Sequence, residues 1–243
     1  MEDPLILLGR EMAGFAALVG DIEGDEPVPA CPGWTSADVV RHLGSIHRWA
    51  AAIVLSGQRI PDEPAARASE PLDEWYAGTA TALIAALQAV DPDEPVPNFS
   101  RTDEVAAFWP RRQLHETCIH RVDLLQACGR PDLTWDVDPE VAGDGIAEVI
   151  RVFGRRMTDR GKRPHVHAPV RLVATDLERS WIVAPDEDDP EGPPRLVQRE
   201  IDVDGEAVGT ATDLYLALWG RAPASAVAPS GAAVAWFDGP RVP

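Results

Sequence analysis

Glu116 and His120 lie four residues apart in the stretch from Trp109 to Gly129. If that stretch is a helix, a carboxylate and an imidazole at this spacing stand one above the other on a single face. Such a pair supplies two ligands to one divalent metal. Asp123, three residues beyond His120, is placed to steady the imidazole from behind. The motif differs from the HExxH of zinc proteases: one more residue separates the two histidines, and Glu116 reads as a ligand rather than a base. A catalytic zinc site takes three protein ligands and keeps one position open. The third ligand must come from a neighbouring helix, and His42 or His47 is available for it. They are five residues apart, about 140° around a helix, so one ion does not use both. In the open position a metal stabilises the anion of water or of a thiol, and a coordinated thiol loses its proton.

The elements that must position these groups follow from the spacing of apolar residues. Pro110 suits the first turn of the central helix and Gly129 its left-handed end, while Leu114, Cys118, Val122 and Leu125 form a buried stripe. A first helix runs over residues 4–21, capped by Asp3 and opened by Pro4. A loop rich in Gly and Pro covers 23–32. A second helix starts at Thr35, with Asp38 completing a capping box, and stops at Gly57. A third covers 72–89. Four helices joined by short connections predict an antiparallel four-helix bundle. Beyond the central helix, a fifth helix is expected over 139–160, then strands over 170–175 and 180–184. Two more strands, 196–203 and 207–212, read as a hairpin turning at Asp204-Gly205; 213–219 is a short helix, and 234–237 a last edge strand. The fold class is α+β: a bundle domain over 1–132 and a small α/β domain over 133–243 with a mostly antiparallel sheet.

Composition bounds the partners. Of 243 residues 45% are hydrophobic and 26% charged, as in globular proteins. The net charge of −18 repels phosphate backbones and anionic bilayers, so neither nucleic acid nor membrane is an expected partner. Three cysteines, Cys31, Cys118 and Cys128, form no CxxC pair and suit a reducing cytoplasm, as does the lack of a secretory signal or an apolar run of membrane-spanning length. A monomer or weak homodimer is expected.

Several separate motifs carry a resemblance. The segment from Cys31 to Gly44 (CPGWTSADVVRHLG) resembles the opening motif of the mycothiol-dependent maleylpyruvate isomerase family, within the DinB-like helix-bundle superfamily. Glu116-Thr-Cys-Ile-His120-Arg-Val-Asp123-Leu124 resembles its second motif. The segments 170–181 and 212–221 resemble parts of its C-terminal domain. The resemblance implies a zinc-bearing helix bundle followed by an α/β domain, with His42, Glu116 and His120 as metal ligands. It implies that mycothiol binds at the metal and attacks the substrate, and that Arg221 engages an acidic substrate. The expected activity is therefore a zinc- and mycothiol-dependent isomerase or thiol transferase acting on a small, acidic electrophile. A metal-dependent hydrolase and a non-catalytic zinc-binding regulatory protein are the alternatives.

Other residues receive plainer readings. Arg221 also fits a cation favoured by a helix C-terminus. His47, beside Arg48, is expected at a polar surface or pocket rim, and His115 facing away from the site. Cys118 is read as a small buried hydrophobe, Cys31 as a neighbour of the pocket, and Trp34 and Trp109 as pocket walls or packing residues. His165 and His167 read as incidental loop histidines.

Overall fold

The structure is a computed structural model, and it describes residues 2–61, 71–100, 104–130, 137–162, 166–186, 188–189 and 192–239. The chain divides into two compact units, 1–134 and 135–243. The expected domain boundary at 132/133 and His165 lie outside the described residues.

The first unit contains α1 (Pro4–Val19), α2 (Ser36–Ser56), α3 (Leu72–Ala89) and α4 (Phe108–Ala127). α1 packs on α3 and α4, and α2 does the same, so the four helices close a ring of contacts around one core. Phe15, Val39, Leu43, Trp75, Tyr76 and Leu124 fill part of that core. Gly44 permits the close approach of α2 and α3: a Cβ there would lie 2.4 Å from Cζ3 of Trp75. α4 begins two residues before Pro110, whose missing N–H still falls in the first turn, where no helical acceptor exists. Past its end the chain turns at Gly129, with φ +67°, and the Arg130 amide donates to the Leu125 carbonyl.

The second unit is a mixed five-stranded sheet with helices. A helical run comprises α5 (Pro139–Glu148), a π-helical turn (Val149–Phe153) and α6 (Gly154–Asp159). Next come β1 (Val170–Ala174), β2 (Arg179–Ala184), β3 (Arg195–Val197), β4 (Gly205–Gly209), α7 (Ala211–Leu218), β5 (Ser230–Gly231) and α8 (Ala232–Asp238). The strand order is β3-β2-β1-β4-β5. β1 is antiparallel to β2 but parallel to β4, with Leu172 opposite both Trp181 and Ala207. α7 packs on β1 and β4.

Two local expectations are corrected. No hairpin turns at Asp204-Gly205: β3 pairs with β2, and β4 crosses over to lie beside β1. Gly205 is a strand residue, needed because a Cβ there would sit 2.4 Å from the Ser230 carbonyl oxygen. Residues 234–237 are helical rather than an edge strand. Ala233, Trp236 and Phe237 are the buried positions, a spacing of three and four that fits a helix, not a strand. Among the described residues no helix is long and apolar enough to cross a membrane.

Candidate metal centre

α2 and α4 pack against each other in the first unit and carry the site between them. The phase of α2 is set at its start. Thr35 Oγ1 accepts from the Asp38 amide at 3.3 Å, and Asp38 Oδ2 accepts from the Thr35 amide at 3.0 Å. This reciprocal cap fixes where the first turn begins, and hence which way His42, seven residues on, faces. The preceding loop is clasped to the same helix end. Glu26 accepts hydrogen bonds from the amides of Glu23 and Gly24 and from the Ser36 hydroxyl. The Val28 amide donates to the Trp34 carbonyl at 3.0 Å, which closes the turn carrying Cys31 and Trp34.

His42 from α2 meets Glu116 and His120 from α4. One donor atom from each falls within 4.8 Å of the others. Oε1 of Glu116 lies 3.4 Å from Nε2 of His42 and 3.4 Å from Nε2 of His120. Two bonds of about 2.0–2.1 Å meeting at a tetrahedral angle hold their donors about 3.4 Å apart, so the trio fits a single divalent cation. The His42 and His120 rings cross edge to face with centroids 4.9 Å apart. The His42 side chain is 29% exposed, Glu116 16% and His120 8%, so the group opens to solvent on the His42 side.

Each ligand candidate is held from behind. Asp123, fully buried, takes a hydrogen bond from Nδ1 of His120 at 2.9 Å, which leaves Nε2 facing Glu116. Arg112, also buried, donates to Oε2 of Glu116, which leaves Oε1 facing the histidines. Burial alone would raise the Glu116 pKa, but Arg112 and the hydrogen bonds from His120 and His42 hold it well below the usual carboxylate range. Burial likewise disfavours a charged His120, but Asp123 and Glu116 outweigh it and lift its pKa to about 9. Nitrogen and oxygen donors of this kind suit zinc and several other divalent metals.

Trp34 and Cys31 stand beside the trio. The Trp34 and His42 rings lie 5.0 Å apart between centroids. The Cys31 thiol donates to Oδ2 of Asp123 across 3.8 Å. Trp109 instead is fully buried against Trp49 and Phe108, as a packing residue.

The remaining candidates fall elsewhere. His47 is not at a surface or rim: it is completely buried, with Nε2 3.2 Å from the Thr117 hydroxyl. Its place on α2 looks into the core, and burial lowers its pKa to about 3, so it stays neutral. His115 and Cys118 are buried. Arg221 belongs to the second unit and is buried just past α7, where its guanidinium donates to the Trp219 carbonyl at 2.8 Å. Arg112 joins the site as a residue that its place in the sequence does not single out. Its i,i+4 spacing to Glu116 was the available signal.

Comparison with known proteins bears on the family and the fold. Residues 7–125 match the family "Mycothiol maleylpyruvate isomerase N-terminal domain". The fold resembles the crystal structure of a mutant of the mycothiol-dependent maleylpyruvate isomerase, at TM-score 0.62 and 13% identity, covering 94% of this chain and 92% of that one. A second crystal structure of that isomerase gives TM-score 0.57 and 15% identity with the same coverage. At these identities the likeness establishes the fold. No curated protein matches the chain.

Proposed function

The N-terminal unit of this chain belongs to the family of the mycothiol maleylpyruvate isomerase N-terminal domain, and on that premise we propose that the protein is a mycothiol-dependent metalloenzyme. Its reaction is isomerisation of, or thiol transfer to, a small acidic electrophile. The observation that carries this reading is the meeting of His42, Glu116 and His120 at one point that is open on a single side. A divalent cation held there, zinc by preference, would lower the proton affinity of a coordinated thiol and so supply a nucleophile at neutral pH.

The chain's own residues prepare that event. Asp123 fixes the His120 tautomer and presents Nε2. Arg112 keeps Glu116 ionised and occupies one of its oxygens, so that the carboxylate offers the other. Trp34 walls the His42 side, from which thiol and substrate enter. Arg221 is assigned the substrate's carboxylate, which a guanidinium grips through two hydrogen bonds. Its support is the sequence resemblance. Arg221→Met is expected to raise KM for an acidic substrate while leaving metal content unchanged.

Metal analysis of the purified protein and of His42→Ala, Glu116→Gln and His120→Ala tests the reading. The wild type is expected to hold one equivalent of a divalent metal, and each variant to lose it while keeping its circular dichroism spectrum. Variants that fold and retain the metal would remove the site. Turnover of an ester or amide without any added thiol would point to the hydrolase instead.

A further inference from the structure

β2 and β3 pair over three residues only, with Ile182 opposite Val197, Val183 opposite Leu196 and Ala184 opposite Arg195. The same register, carried on, would set Trp181 against Gln198 and Ser180 against Arg199. Those pairs are not made. β3 stops at Val197 while β2 extends back to Arg179, so the outer backbone edge at Ser180 and Trp181 has no strand partner. The residues that would have paired instead line a cavity of about 370 Å³, in the range of small-molecule sites.

Arg151 enters the same cavity from the helical side. It sits in the π-helical turn Val149–Phe153, which packs against β3. Such turns recur at functional sites, because the inserted residue re-aims the side chains that follow. The cavity is positive in a chain whose acidic residues far outnumber its basic ones. The side chains of Arg151 and Arg199 form no ion pair or hydrogen bond with any described residue. Glu200, the one carboxylate among the described lining residues, is already held by Arg171 through both oxygens, at 3.0 and 2.8 Å. Arg171 is shared with Glu206, 3.5 Å from its Nε, and neither carboxylate comes within ion-pair reach of Arg151 or Arg199. Ser180 and Gln198 add hydrogen-bonding groups, and Trp181 adds a flat apolar surface.

We propose that this splayed strand pair is a binding site for a small organic anion. Arg151 and Arg199 hold its carboxylate or phosphate, and its planar body lies on Trp181. The lining residues all belong to the second unit.

The test follows the Trp181 indole N–H by nuclear magnetic resonance in the full chain, with the signal assigned through Trp181→Phe. Benzoate, phenyl phosphate and benzamidine are titrated in turn. Saturable shifts with the two anions and none with the cation are expected, and the tighter anion identifies the preferred head group. The double variant Arg151→Gln/Arg199→Gln should keep the wild-type melting temperature, since neither side chain has a partner to lose, and should lose the saturable response. Failure of both anions to saturate, an equal response to benzamidine, or undiminished anion binding in a folded double variant would overturn the proposal.

Discussion

Asp123 accepts a hydrogen bond from Nδ1 of His120 at 2.9 Å while its own carboxylate is fully buried. A carboxylate in that place has nothing to gain from solvent. The imidazole it orients and the Cys31 thiol both donate to the same oxygen, Oδ2. Removing such an orienting partner typically costs about 10–100-fold in metal affinity. Asp123→Ala is therefore expected to weaken zinc binding by about that factor, measured by competition with a chromogenic chelator. Unchanged affinity in a folded variant would deny Asp123 this role.

Arg112 and Glu116 form a buried pair, with Arg112 only 2% exposed. Truncating one member of a buried pair strands the other charge, at a cost of about 3–5 kcal/mol. Arg112→Met is expected to lower stability by an amount of that order in urea unfolding of the metal-free protein. Adding Glu116→Gln should restore part of the loss, because the stranded carboxylate is then gone. A double variant as unstable as the sum of the singles would show that the two residues act separately.

Gly44 is expected to tolerate no side chain. The ideal Cβ would stand 2.4 Å from the ring of Trp75, which is itself buried. Alanine gains about 1 kcal/mol of helix propensity, but overpacking costs about 1–3 kcal/mol and shifts α2 against α3. Gly44→Ala should lower the melting temperature; a neutral or stabilising effect would contradict the packing described.

Glu26 sets an acid dependence. Burial favours its neutral form, yet the hydrogen bonds from Ser36, Glu23 and Gly24 together outweigh it and lower its pKa from 4.5 to about 2. Between those values the unfolded chain binds the proton and the folded one does not. Stability from this group is therefore complete above pH 4.5 and is lost as pH falls through about 2. Glu26→Gln should flatten the stability profile in that window, read from urea midpoints across pH. An unaltered slope would mean that the clasp at the start of α2 contributes nothing.

The parts of the molecule legible from sequence share a physical cause. Glu116, His120 and Asp123 lie on one helix, where spacing alone decides which side chains meet, and the cap at Thr35 announces itself by residue type. His47 differs from its expected place because polarity does not entail exposure: its position on α2 turns it inward, and Thr117 satisfies one ring nitrogen. Arg112 was hidden for the same reason: a buried arginine is recognisable only once its carboxylate partner is known to be buried too. In the second unit, β3 and β5 span three and two residues, too short for alternation to show. The glycine at 205, which resembled a turn, answers to a neighbouring strand far along the chain.

The central claim is that one cation sits between α2 and α4 with a position left for sulfur. The most direct measurement is the visible and near-ultraviolet spectrum of the cobalt-substituted protein as mycothiol is added. The account predicts a saturable sulfur-to-cobalt charge-transfer band in the wild type that is absent from folded His42→Ala. A cobalt spectrum that does not change at saturating thiol would contradict it.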